Sequence, residues 1–223
     1  KSFRAGWGTT EALDLVDERF RTMSREIAPI RVRWITLPYT RDGITRMRGY
    51  FKSPASEHLP LPPEVRTAYF ELLLPEGAGV NLKPPVCLYM ASTGDQGMRR
   101  RIKFATPLIR NGIGALILEN PYYGLRRPRA QRGASLMTVA DQMMMGQAAV
   151  EEARALLKWL RDDGYAYLGV TGYSMGGSIA AYVAALEEEP IAAVPISTGA
   201  CAGRIFTGSP MARAADWRAL GGS

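Results

Sequence analysis

Tyr167-Leu168-Gly169-Val170-Thr171-Gly172-Tyr173-Ser174-Met175-Gly176-Gly177 decides how this chain is read. The apolar run Leu168–Thr171 is too short for a helix, and Gly177–Leu186 is a small-residue segment of the kind that packs closely on a sheet. Between a strand and such a helix, Gly172 and Gly176 stand two positions either side of Ser174. That spacing answers crowding: a serine held on a strained strand-to-helix turn needs neighbours without side chains. The helix beginning there aims its free N–H groups at the serine and favours developing negative charge. The stretch therefore predicts a nucleophile, Ser174, with the N–H of Met175 as one oxyanion donor.

Thr171-Gly172-x-x-x-Gly176 also resembles the nucleotide-binding turn of short-chain dehydrogenases. That turn follows the first strand of its domain, whereas only 49 residues follow Ser174, and no Tyr-x-x-x-Lys is among them. A βαβ unit alone takes about 30 residues, so the remainder of a Rossmann domain does not fit.

Upstream, Val86–Ala91, Ala115–Leu118 and, beyond the serine, Ala193–Ile196 are further short apolar runs without alternation, as in parallel strands buried on both faces. Helical stretches separate them. Arg99–Arg110 stops at Asn111-Gly112, with Pro107 expected to kink or shorten it. Val139–Asp163 carries an apolar face and stops at Gly164, its Met143-Met144-Met145 triplet reading as core filling. Strand alternating with helix predicts an α/β fold, its sheet mainly parallel and covered by helices. Near the N-terminus, residues 9–28 read as a helix ended by Pro29, and Arg31–Leu37, Met47–Lys52 and Tyr69–Leu74 as antiparallel strands, with a turn at Arg41-Asp42-Gly43. The expected organisation is one domain over residues 1–223, with an N-terminal helical extension over about 1–30.

The strand Pro85–Ala91 runs into Ser92-Thr93-Gly94-Asp95-Gln96-Gly97, a turn-rich segment before a helix. Its position suits a loop that lends a second oxyanion N–H, and Thr93 is the candidate donor. Two arginine clusters follow strand ends, so Arg99, Arg100, Arg126 and Arg127 are expected near the rim of the site, where guanidinium groups would favour an anionic substrate.

Composition narrows the rest. With 47% hydrophobic and 22% charged residues, disorder and fibrous repeats are excluded. The net charge of +7 comes with no nucleic-acid-binding motif, and no apolar run reaches the ~20 residues of a membrane span. Cys87 and Cys201 have neither zinc nor disulfide-framework spacing, and read as small buried hydrophobes of a reducing, cytoplasmic setting. No cofactor or metal is expected. The one histidine, His58, lies in the Pro-rich loop Ser53–Glu64, upstream of the serine.

Ser92-Thr93-Gly94-Asp95, Glu119-Asn120-Pro121-Tyr122-Tyr123-Gly124-Leu125-Arg126-Arg127-Pro128 and Gly172-Tyr173-Ser174-Met175-Gly176-Gly177 together resemble the alpha/beta hydrolase domain-containing protein 18 family. The resemblance runs from the first helix to Thr198-Gly199. It implies an alpha/beta-hydrolase fold and hydrolysis of an ester or acyl-lipid bond, through an acyl-serine, on a small-molecule or lipid substrate. That superfamily orders its triad Ser, Asp or Glu, then His, yet no histidine follows Ser174. The sheet also reads as unfinished after Ala193–Ile196. Two expectations follow: either the chain stops before the strands bearing acid and base, or it is a hydrolase-like scaffold that binds without turnover.

Overall fold

The computed structural model describes residues 1–23, 26–78, 83–199, 203, 207–208 and 210–221. Its centre is an eight-stranded sheet. In chain order the strands are β1 (Arg33–Trp34), β2 (Tyr39–Arg41), β3 (Ile44–Lys52), β4 (Thr67–Pro75), β5 (Val86–Met90), β6 (Gly114–Leu118), β7 (Leu168–Tyr173) and β8 (Ala192–Ile196). They lie in the order β1-β3-β4-β6-β5-β7-β8, with β2 also paired to β3. Pairing among β6, β5, β7 and β8 is parallel, and the N-terminal strands pair antiparallel, as expected.

The central strands β5, β6 and β7 are covered on both faces, whereas β8, expected from its apolar run to be buried, is exposed over residues 192–195 because it is the edge strand of the sheet. Helix α2 (Arg99–Arg110) lays Ala105 and Ile109 on Ala115, Ile117 and Tyr89. On the other face, α3 (Val139–Asp162) and α4 (Met175–Leu186) pack Leu156, Leu157, Leu160, Ile179 and Val183 against Leu88, Leu116, Leu118 and Val170. Successive residues of β6 thus enter opposite apolar clusters, which is why the central strands carry no polar alternation. Helix α1 (Thr10–Arg21) packs beside α3 through Val16, in the cluster that also holds Met144 and Met145 of the methionine triplet.

Local chemistry sets the helix ends. Thr138 and Asp141 form a reciprocal capping box at the start of α3, and Gly164 follows its end at φ +92°. Thr9 caps α1, accepting the Ala12 N–H at 3.2 Å.

Several boundaries differ from expectation. Helix α1 stops at Arg21, where Thr22 caps it, well before Pro29. The β-like run over residues 31–37 keeps only Arg33–Trp34 as strand, because only these two pair with Tyr50 and Gly49 of β3. The turn at Arg41-Asp42-Gly43 joins an additional strand, β2, to β3, with Asp42 and Gly43 both at positive φ (53° and 75°). Pro107 lies inside an unbroken α2: the helix ends three residues later, and Asn111 bonds the Pro107 carbonyl at 2.8 Å. Cys87 is half-buried, and burial pushes its thiol up to about 12. Cys201 lies outside the described residues.

Candidate active site

The turn between β7 and α4 is as crowded as its glycines imply. Ser174 has φ 55° and ψ −120°, a conformation that L-residues rarely adopt. A Cβ on Gly172 would come within 2.3 Å of the Gly176 carbonyl carbon, and one on Gly176 within 2.5 Å of the Met90 carbonyl oxygen. The strained serine is tied on both sides. Its N–H donates to the Ile196 carbonyl at 2.9 Å, and its carbonyl accepts the Gly177 N–H at 2.9 Å.

Ser174, Met175 and Thr93 line one cavity of about 400 Å³. Phe20 of α1, Gly146 and Val150 of α3, Ile179 and Tyr182 of α4, and Met211 complete much of its wall. In the loop carrying Thr93, the neighbouring amides are engaged. Gly94 donates to the Tyr123 hydroxyl (3.3 Å), Asp95 to the Ser92 carbonyl (3.1 Å), Gln96 to the Gly94 carbonyl (3.0 Å) and Gly97 to Glu119 (3.0 Å). Among the described residues, the N–H groups of Thr93 and Met175 have no acceptor.

The arginines separate. Arg99 and Arg127 are exposed, and Arg100 lines an adjoining groove of about 310 Å³, which shares Ser92 and Tyr173 with the serine cavity. Arg126, expected near the rim, does not reach it: it is completely buried, its guanidinium gripping the Glu152 carboxylate at 2.5 and 2.6 Å. The burial reflects position, since residues 124–126 form a 3-10 turn that carries the side chain inward against α3.

His58 lines a different cavity, of about 330 Å³, with Arg19, Gln147 and Arg154. Its Nε2 lies 3.0 Å from Oε1 of Glu151, whose carboxyl is held above its ordinary value by burial, against the lowering effect of His58 and Gln147. It does not line the serine cavity.

Behind the Thr93 loop lies a buried polar cluster that sequence reasoning missed: Asp95, Arg101 and Glu119. An acidic residue directly after a strand and an arginine in the first turn of the next helix were its visible signals. Burial raises the Glu119 carboxyl, outweighing the Gly97 N–H, Arg101 and Arg126, which lower it; Asp95 adds to the rise. Ionisation of Glu119 therefore costs stability, a loss that begins above its ordinary value of 4.5 and completes as pH passes the higher folded value. Glu119→Gln is expected to flatten the fall in thermal midpoint from pH 4.5 upward, measured by calorimetry. An unchanged slope would place that proton elsewhere.

Parallel strands flanked by helices, with a serine raised on a strained turn at their C-terminal ends, define the alpha/beta-hydrolase class. The chain belongs to the alpha/beta hydrolase domain containing 18 family, whose match spans residues 1–223. An acetyl xylan esterase from Paenibacillus sp. R4 is similar at 17% identity and a TM-score of 0.55, over 91% of this chain and 64% of its own. A cold-adapted esterase from an Arctic intertidal metagenomic library is similar at 16% identity and a TM-score of 0.51, over 69% of this chain and 60% of its own. At such identities the likeness concerns the fold alone. This chain spans about three-fifths of the length of those esterases. No helix among the described residues is long and apolar enough to cross a membrane.

Proposed function

We propose that this protein is a serine hydrolase that cleaves a carboxylic ester or acyl-lipid bond. The observation that carries the reading is that Thr93 and Met175, whose N–H groups have no acceptor among the described residues, line the cavity of a serine held on a strained turn. Ser174 Oγ attacks the ester carbonyl carbon, and the two N–H groups take the negative charge that develops on its oxygen. Collapse expels the alcohol and leaves an acyl-Ser174, which water then hydrolyses to the acid and free serine. The scheme needs neither cofactor nor metal. Its general base is not His58, which is bound to Glu151 in another cavity. On this reading residues 1–223 contribute the nucleophile and the oxyanion donors, and no histidine follows Ser174 among them.

The cavity wall favours an apolar acyl group, through Phe20, Val150, Ile179 and Met211. Arg100 in the adjoining groove suits an anionic group on the same substrate. Anionic esters are expected to be cleaved faster than neutral ones at low salt, a preference lost in Arg100→Ala; equal rates would remove Arg100 from recognition.

A second reading, a hydrolase-like scaffold that binds without turnover, draws on the engagement of His58 away from the serine. A fluorophosphonate probe separates the two. Labelling of Ser174 in the full-length protein, abolished by Ser174→Ala, is the expected result. Labelling elsewhere with Ser174 untouched would sink the Ser174 assignment, and none at all in a folded protein would favour the silent scaffold.

A further inference from the structure

The loop over residues 91–98 has no helix or strand of its own, and it has positive φ at Gly94 and Gly97 (80° and 76°). A loop of that kind is mobile unless something holds it. Here one side chain reaches most of what surrounds it. From the first turn of α2, Arg101 turns its guanidinium back into the protein and is only 6% exposed. Its Nε donates to Oδ2 of Asp95 (2.9 Å) and its Nη2 to the Gly97 carbonyl (2.6 Å), both in the loop. Its Nη1 donates to the Tyr89 carbonyl near the end of β5 (3.2 Å) and to the Leu118 carbonyl at the end of β6.

Two further bonds secure the same loop from the other side. Glu119 accepts the Gly97 N–H, and the Tyr123 hydroxyl accepts that of Gly94. Gly176, one residue past Met175, abuts the Met90 and Ala91 carbonyls, where a Cβ would stand 2.5 and 2.9 Å away. The start of the loop and the start of α4 are therefore in direct contact, and whatever fixes the loop fixes one oxyanion donor against the other.

We infer that Arg101 is a positioning residue for the reaction: by clasping Asp95 and Gly97 to the ends of β5 and β6, it holds the Thr93 N–H in register with that of Met175. The inference rests on the assignment of Ser174 and its two donors proposed above. The chemistry demands an arginine. Only a planar fork with five N–H groups serves a carboxylate and three carbonyls at once, and a lysine ammonium has three donors on one atom. Burial works against that charge, and Asp95 and Glu119 beside it counter the cost in part.

Oxyanion donors act in the transition state, so a displaced donor lowers kcat and leaves KM nearly unchanged. In the full-length protein, Arg101→Lys and Asp95→Asn would be compared with the unsubstituted protein for fluorophosphonate labelling rate, for kcat and KM on p-nitrophenyl acetate, and for thermal midpoint. A displaced donor is expected to cost less than one removed outright, which costs about 10²–10³-fold. The expected result is a fall in kcat of roughly 10- to 100-fold in Arg101→Lys and a smaller one in Asp95→Asn, with KM within about twofold. Unchanged kcat in a folded Arg101→Lys, with Ser174 of the unsubstituted protein still labelled, would overturn this inference and leave the serine assignment standing. So would a loss in Arg101→Lys that only tracks unfolding, with Asp95→Asn fully active. Absence of labelling in the unsubstituted protein would overturn both.

Discussion

Ser174→Ala in the full-length protein is expected to abolish ester turnover while leaving the fold intact. The two halves of this expectation have separate physical grounds. In a serine hydrolase, loss of the nucleophile has cost about 10⁶-fold in kcat, with only oxyanion stabilisation and binding remaining. Stability should change little, because the serine side chain makes no capping bond to α4 and alanine takes on the same φ of 55° with a Cβ of its own. The backbone bonds that hold the turn, to Ile196 and from Gly177, do not involve the hydroxyl. Steady-state hydrolysis of p-nitrophenyl acetate, read beside a thermal melt, tests both. Turnover that survives in Ser174→Ala would mean that another group does the chemistry.

The largest stability effect is expected at Arg126, far from any rim. Arg126 and Glu152 are both fully buried and paired through two bonds. Arg126 also donates to the Glu119 carbonyl at 2.9 Å and the Val65 carbonyl at 2.6 Å, and Ser53 donates to Glu152 at 2.5 Å. One ion pair thus joins the loop after β3, the end of β6 and the middle of α3. Removing one partner of such a pair leaves a charge in the interior and costs about 3–5 kcal/mol. Total stability of a domain is about 5–15 kcal/mol, so Arg126→Ala should lose a large part of it. For a chain of this size that is a fall in Tm on the order of 10 °C. The double variant Arg126→Met with Glu152→Gln removes both charges and should fall less than Arg126→Ala alone. A single variant melting within a degree or two of the unsubstituted protein would show that water reaches the pair.

The sequence by itself determined the alternation of strand and helix, the parallel centre of the sheet and the turn at Ser174. Each follows from short-range chemistry: apolar runs, Gly and Asn at helix ends, and glycines where a side chain would meet the backbone within a few residues. It also marked Thr93 and Met175, because a place relative to a strand end is a property of order along the chain. Tertiary structure decided the rest. Arg126 and Arg100 read alike in sequence, each within a run of arginines after a strand. Yet one is buried against Glu152 and the other lines an open groove, and that difference depends on a partner 26 residues away on α3. Arg101, one residue from Arg100, turns inward to bond strand ends that are distant in sequence and adjacent only in the sheet. His58 could be placed only when its partner, Glu151, was seen 93 residues along the chain. A charged side chain's role is set by which opposite charge and how much water it meets, and neither is local to the chain.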